Sequence, residues 1–182
     1  MITTHNINGV DTEKLTATID AIREAPDLAR CEFRVHNNWV EGGHNQIHIN
    51  EYHAAGQDSS REMPFEVPAD EPPALLGHDR GPNPVEHLLG ALSACMTTSM
   101  VYHAAAHGVK IDELDSDFSG DLDMQGFLGL KEGVRPGYQE IRAKFHVRSD
   151  APAEELASYV KYSPVYDVVS KSVPISVEVE KK

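Results

Sequence analysis

Cysteine is scarce in this chain. Only Cys31 and Cys95 occur in 182 residues, which is no disulfide framework. Basic residues are few as well. Sixteen Lys and Arg stand against 29 Asp and Glu, for a net charge of −13, a balance that repels nucleic acid and anionic membrane and excludes both as partners. No apolar run approaches the length of about 18 residues that spans a bilayer. The opening MITTHNINGV lacks both the charged and the apolar regions of a signal peptide. Together these absences predict a reducing, cytoplasmic setting.

What is present is enough for one core. A chain of this length buries about two thirds of its unfolded surface. The first eleven residues are polar and read as frayed. Asp11 then caps a surface helix with Leu15, Ile19 and Ile22 on one stripe before Pro26. Residues 1–29 are therefore expected to be an extension, and residues 30–182 the main domain. In CEFRVHNNWV, Cys31, Phe33 and Val35 alternate with Glu32, Arg34 and His36, and QIHINEY repeats that period after the turn EGGHN. This predicts a β-hairpin with Cys31 facing the core. Residues 54–83 read as a long connection with one embedded strand, PFEV.

NPVEHLLGALSACMTTSMVYHAAAHG has Asn83 as N-cap, Pro84 at the first helical position and Gly108 just past the end. It predicts a helix of about 24 residues. Apolar and small residues fall on nearly every face, the pattern of a helix buried in a core or an interface. Cys95 lies in its middle and has two readings, a small apolar filler or a working thiol. The thiolate reading needs a cation, because the helix dipole acts mainly in the first turn. His44, Arg80 and His87 are the candidates, and Thr98 and Ser99 share the face of Cys95.

Further on, ELDSDFSGDLDM alternates acidic residues with Leu114 and Phe118, and EIRAKFHVRS alternates basic residues with Ile141, Phe145 and Val147. The two predict paired antiparallel strands with complementary outer faces, joined by the glycine-rich QGFLGLKEGVRPGYQ. A helix capped by Ser149 or Asp150, a short helical PVYDVVS and a final strand VPISVEVE complete an α+β order. His103 and His107 stand four apart on one helix, as His44 and His48 do in sequence. No third ligand or adjacent glutamate completes a zinc site at either pair, so no metal is expected, and no cofactor.

The run RGPNPVEHLLGALSACMTTSMVYHAAAHGVKIDELDSDFSGDLD, followed by FLGLKEGVRPGYQEIRAKFHVRSDAP and SPVYDVV, resembles the OsmC/Ohr family of osmotically inducible and organic hydroperoxide resistance proteins. The resemblance spans roughly residues 30 to 180. It implies an intertwined homodimer in which long central helices lie between antiparallel sheets. It also implies thiol-dependent, peroxiredoxin-type chemistry serving oxidative-stress defence. In active members a first cysteine on the central helix attacks the peroxide, and a second condenses with the sulfenic acid to a disulfide.

Cys95 occupies the first position. The second position is Ser163, which forms no disulfide, so the two-cysteine cycle is excluded. Where active members bring an arginine from the hairpin turn, EGGHNQ offers His44. Their helical glutamate falls at Val85, and Glu86 one step on lies about 180° around the helix from Cys95. The catalytic candidates are thus Cys95, Arg80 and His44, with Ser163 at the vacated position. Two functions follow. One is a one-cysteine reduction of small organic hydroperoxides with an external thiol as reductant. The alternative is a non-catalytic module that holds an apolar or acyl ligand in the dimer-interface cleft.

Overall fold

A computed structural model describes residues 6–171. In chain order the elements are β1 (Asn6–Ile7), β2 (Val10–Asp11), α1 (Thr12–Glu24), β3 (Glu32–Phe33), β4 (His36–Glu41), β5 (His44–Ile49), β6 (Tyr52–Ala54), β7 (Gln57–Ser59) and β8 (Phe65–Ala69). Then come α2 (Pro84–Ala106), β9 (Ile111–Asp121), α3 (Met124–Phe127), β10 (Glu140–Ser149), α4 (Ala153–Tyr159) and α5 (Pro164–Lys171). The fold is α+β with antiparallel sheets, as expected. The expected strand VPISVEVE lies outside the described residues. Two compact units divide the chain, one of residues 11–88 and one joining residues 6–10 to those from 89 onward.

The first unit holds two three-stranded sheets, β4-β5-β8 and β3-β6-β7. Asp11 caps α1 by accepting from the Lys14 amide, as its sequence predicts. The expected hairpin exists as β4–β5, turning at Gly42 and Gly43. Its predicted first strand is split, however: β3 leaves to pair with β6 in the other sheet. The connection after it also holds more than one strand, because Ala55 and Gly56 make a turn with positive φ that pairs β6 with β7.

The expectation that Cys31 faces a core is overturned. Cys31 is exposed, and on its face Phe33 is 73% and Val35 67% exposed. Period-two alternation tells which side chains share a face, not that anything covers it.

Residues 6–11, expected to be frayed, instead form a short hairpin. Asn8 and Gly9 both take positive φ, the two-residue turn that an Asn-Gly pair favours between strands, and so β1 pairs with β2. Asn8 then pins the hairpin to the chain entering β9. Its amide donates to the Val109 carbonyl at 2.9 Å and its Oδ1 accepts from the Ile111 amide at 2.8 Å.

α2 has the termini its sequence marks. Asn83 Oδ1 accepts from the Glu86 amide, and the Glu86 carboxylate accepts from the Asn83 amide, a reciprocal capping box. At the far end the Val109 amide closes on the Ala104 carbonyl. Burial, by contrast, is one-sided within this chain. Leu92, Met96, Met100 and Ala104 form the buried stripe, whereas Leu88, one step earlier in the same row, and Tyr102 are exposed. Apolar composition all round fixed no single direction of packing.

Met100 and Ala104 join Leu156 and Tyr159 of α4 in the core, with Ile111, Leu114, Phe145 and Val147 of β9 and β10 packed against them. The two strands pair in antiparallel register, Asp117 opposite Lys144 and Glu113 opposite Arg148. The complementary outer faces are real: Arg148 meets Glu113 at 2.5 Å, His146 meets Asp117 at 3.0 Å and Arg142 grips Asp121 at 2.6 Å. Being exposed, each contributes little. Neither Ser149 nor Asp150 caps α4. Its N-cap is Pro152, and Ser149 Oγ instead donates to the Lys110 carbonyl at 2.6 Å.

His103 and His107 serve packing. His103 stacks on Tyr162 at 4.2 Å between centroids and His107 on Tyr159 at 5.3 Å. His107 Nδ1 donates to the His103 carbonyl at 2.7 Å, and the Tyr159 hydroxyl donates to Glu155 at 2.7 Å. Among the described residues no group of three or more His, Cys, Asp and Glu is arranged to hold a metal.

Truncating Met100 to Ala should cost about 2–5 kcal/mol in urea unfolding, the range for emptying a packed core site. A pH effect follows from His103, whose pKa is lowered by burial and secondarily by the charge of His107. Its folded pKa lies below the unfolded value of about 6.5, so its contribution is whole above that pH and is lost as pH falls through the folded value. The urea midpoint should therefore drop more between pH 7.5 and 5.5 in the wild type than in His103→Phe.

Candidate functional site

α2 sets the presentation of Cys95. Each residue turns about 100° around a helix, so Cys95, one position before Met96, lies beside the buried stripe rather than on it. The side chain is half-buried, and the cysteine is free. Of the neighbours expected to share its face, Ser99 is half-buried and Thr98 exposed. Cys95 is thus neither in the sealed stripe nor fully exposed. As a thiolate it is a nucleophile toward peroxide oxygen or disulfide sulfur.

Ser163 belongs to the same unit and has a different occupation. It is 1% exposed and sits between the short 3-10 turn Val160–Tyr162 and α5. Its Oγ accepts from the Tyr166 amide at 3.2 Å, and its carbonyl accepts from the Asp167 amide at 3.0 Å. This is the N-cap of α5, with Pro164 at the first helical position.

Arg80 and His44, both in the first unit, are brought together. Arg80 Nη1 donates to Glu41 at 2.7 Å and lies 3.1 Å from His44 Nδ1. A guanidinium has only donors, so His44 Nδ1 is the acceptor of this contact. The guanidinium also holds the Glu41 carboxyl below the usual carboxylate range. His87, the third candidate cation, is committed elsewhere: its Nε2 meets the Pro68 carbonyl at 3.0 Å, which requires a protonated Nε2. Glu86 is likewise occupied, in the capping box of α2.

Two residues of this cluster were not singled out by their sequence. Glu41 is one more charge at a hairpin turn until Arg80 reaches it from 39 positions away. Asp70, in the proline-rich PADEPP, is 1% exposed, and its carboxylate accepts from three backbone amides, those of Glu71, His78 and Arg80. Burial pushes its pKa up, but the three amides outweigh burial and the net shift is down. An acidic residue in a loop carries no sequence mark of this role.

The sequence matches the family model described as OsmC-like protein over residues 77–178, more than half of the chain. No match is found among curated proteins. Solved structures resemble the fold. An OsmC-like protein from Mycoplasma pneumoniae superposes with a TM-score of 0.57 at 16% identity, over 78% of this chain and 89% of that one. An OsmC-like protein of unknown function from Vibrio cholerae gives 0.56 at 10% identity, over 75% and 92%. The organic hydroperoxide resistance protein OsmC from Legionella pneumophila gives 0.50 at 13% identity, over 77% and 90%. At these identities the likeness is one of fold. The sequence match reaches from the loop before α2 through Cys95 and Ser163, and by it this chain belongs to the OsmC-like family.

Proposed function

We propose that the chain serves oxidative-stress defence by reducing organic hydroperoxides at Cys95, with an external thiol completing the cycle. The observation that carries this reading is the contrast between the two family positions. Cys95 is half-buried beside the packed stripe of α2, while Ser163 is sealed and spent on capping α5.

The Cys95 thiolate attacks a peroxide oxygen. An S–O bond forms, the O–O bond breaks, and the departing alkoxide takes a proton to leave as the alcohol. Cys95 is left as a sulfenic acid. An external thiol then condenses with it, losing water, to a mixed disulfide, and a second thiol releases Cys95 reduced. A small dithiol supplies both equivalents. The cycle uses no metal or cofactor, and it needs the reducing conditions of a cytoplasm. A thiolate needs a cation to favour it, and Arg80, bonded to Glu41 and His44 within the first unit, is the candidate the sequence offers. The working unit is proposed to be a homodimer, since the apolar Leu88 and Tyr102 of α2 stand exposed in the single chain.

The same exposed apolar side chains favour a second reading, a module that holds an apolar or acyl ligand without turning it over.

Purified protein with dithiothreitol should consume cumene hydroperoxide, and Cys95→Ser should lose that turnover. Intact mass should show one added oxygen on the wild type alone when the thiol is withheld. Turnover that persists in Cys95→Ser, or a Cys95 that never oxidises, would sink the peroxidase reading in favour of the binding module. Ser163→Ala gives the complementary result: peroxide turnover per folded molecule unchanged, with stability in urea lower by about 0.5–2 kcal/mol, the usual loss for an N-cap.

A further inference from the structure

A helical serine or threonine can turn its hydroxyl back onto a carbonyl of the preceding turn, and most in this chain do. Thr16 and Thr18 of α1, Ser93 of α2, Ser158 of α4 and Ser170 of α5 each donate to a carbonyl three or four residues back. Thr97, Thr98 and Ser99, in the middle of α2, do not. Their hydroxyls have no partner among the described residues. Thr98 is exposed and has water, whereas Ser99 is half-buried. No side-chain oxygen or nitrogen of a half-buried described residue is both sealed and unpartnered, so the Ser99 hydroxyl still reaches the surface.

Ser99 stands four residues after Cys95. At that interval two side chains share a helix face, with about 5–6 Å between their Cβ atoms. Burial places them alike: Cys95 comes one step before the buried Met96, and Ser99 one step before the buried Met100. Helical side chains lean toward the N-terminus, so the Ser99 hydroxyl leans over the turn that carries Cys95. Thr97 is also half-buried, but at two residues on it is turned about 200° from Cys95.

We propose that Ser99 is a positioning residue for the Cys95 thiolate, to which its hydroxyl donates. This rests on the reading of Cys95 as a nucleophile, and the bond adds to whatever cation the thiolate has. A neutral thiol is a weak acceptor, and Cys95 holds no donor among the described residues. An ionised sulfur is a strong acceptor, and a hydrogen bond to the charged form favours that form. Ser99 keeps its own proton. The proton of Cys95 passes to water, and rotation about the Ser99 Cα–Cβ bond completes the contact within one helix.

The titratable groups on the elements packed against α2 are engaged or face outward. His103 and His107 stack on Tyr162 and Tyr159, and the Tyr159 hydroxyl donates to Glu155. The acids and bases of β9 and β10 are exposed on the outer faces of those strands.

The test follows alkylation of Cys95 by iodoacetamide against pH, scored by intact mass, in Ser99→Ala, Ser99→Thr, Ser99→Val and Thr98→Ala. All carry Cys31→Ser, as does the reference protein, so that one thiol reacts, and thermal melts check that each is folded. Ser99→Ala should raise the pH midpoint by about one unit, a roughly tenfold slower reaction at pH 7. Ser99→Thr keeps a hydroxyl and should stay at the reference value, as should Thr98→Ala. Ser99→Val has the shape of Ser99→Thr without the hydroxyl, so this pair decides the matter if Ser99→Ala does not fold.

A midpoint unmoved in folded Ser99→Ala or Ser99→Val, or moved as far by Ser99→Thr or Thr98→Ala, overturns the role of Ser99. Oxidation of the reference protein by cumene hydroperoxide tests the reading beneath it separately. A Cys95 that peroxide never oxidises, in a protein whose alkylation midpoint moves as expected, overturns the peroxidase reading and upholds the hydrogen bond.

Discussion

The rotation of α2 about its own axis is the constraint on which the second unit depends. Leu92, Met96, Met100 and Ala104 recur every four residues, and burying them in one stripe leaves the helix a single stable orientation. Met100 and Ala104 meet Leu156 and Tyr159, so α4 is docked by the same stripe. His103 and His107 extend the contact as a layer of rings over Tyr162 and Tyr159. With the rotation fixed there, the exposure of Cys95 follows. One step from Met96 it is turned out of the core but not wholly into solvent. A rotation by one residue in one sense would put Cys95 in the place of Met96, and in the other would put Thr97 there.

The first unit is ordered by different means. Few of its side chains are fully buried, and Ala69 and Asp70 at the end of β8 are the deepest of them. Its local shape comes from ladder bonds between short strands and from one buried carboxylate that gathers the amides around it. Glu41 shares the guanidinium of Arg80 without burying it, both partners remaining substantially exposed.

How much of this was legible depended on whether the determining contact is local. The caps of α1 and α2, the hairpin turn and the pairing of β9 with β10 are local or periodic, and the residues declare them. Asp11 and Asn83 precede helices they bond to three residues on. Asn8 and Gly9 were a hairpin signal too, but the polar residues around them read as fraying, because the bonds that hold the hairpin run about 100 residues away to Val109 and Ile111. Cys31 misled for the converse reason: alternation defined its face, and the face is open. His103 and His107 have the spacing of metal ligands, yet their partners are rings contributed from more than 50 positions later. Arg80 was legible as a cation near the helix, but neither Glu41 nor Asp70 was, since nothing in a hairpin turn or a proline-rich loop names a partner so distant in sequence.

Ser163 joins the packing argument to the chemical one. Its hydroxyl is a compact acceptor at the N-cap of α5, a place where a thiol, being a weak acceptor, would serve poorly. A cysteine there would trade part of the cap for redox capacity, and its release toward a partner sulfur would uncap the helix at each turnover. With serine the cap is permanent and α5 need not move. On the one-cysteine reading the consequence falls on the intermediate. A sulfenic acid at Cys95 has no resolving partner at Ser163, so it persists until a thiol arrives from solution, and in that interval further peroxide carries it to sulfinic acid. The half-burial of Cys95 therefore acts on both reactions at once: an opening wide enough for a reducing thiol also admits the second peroxide. The balance between turnover and inactivation is set by the relative concentrations of thiol and peroxide rather than by a second cysteine at the site.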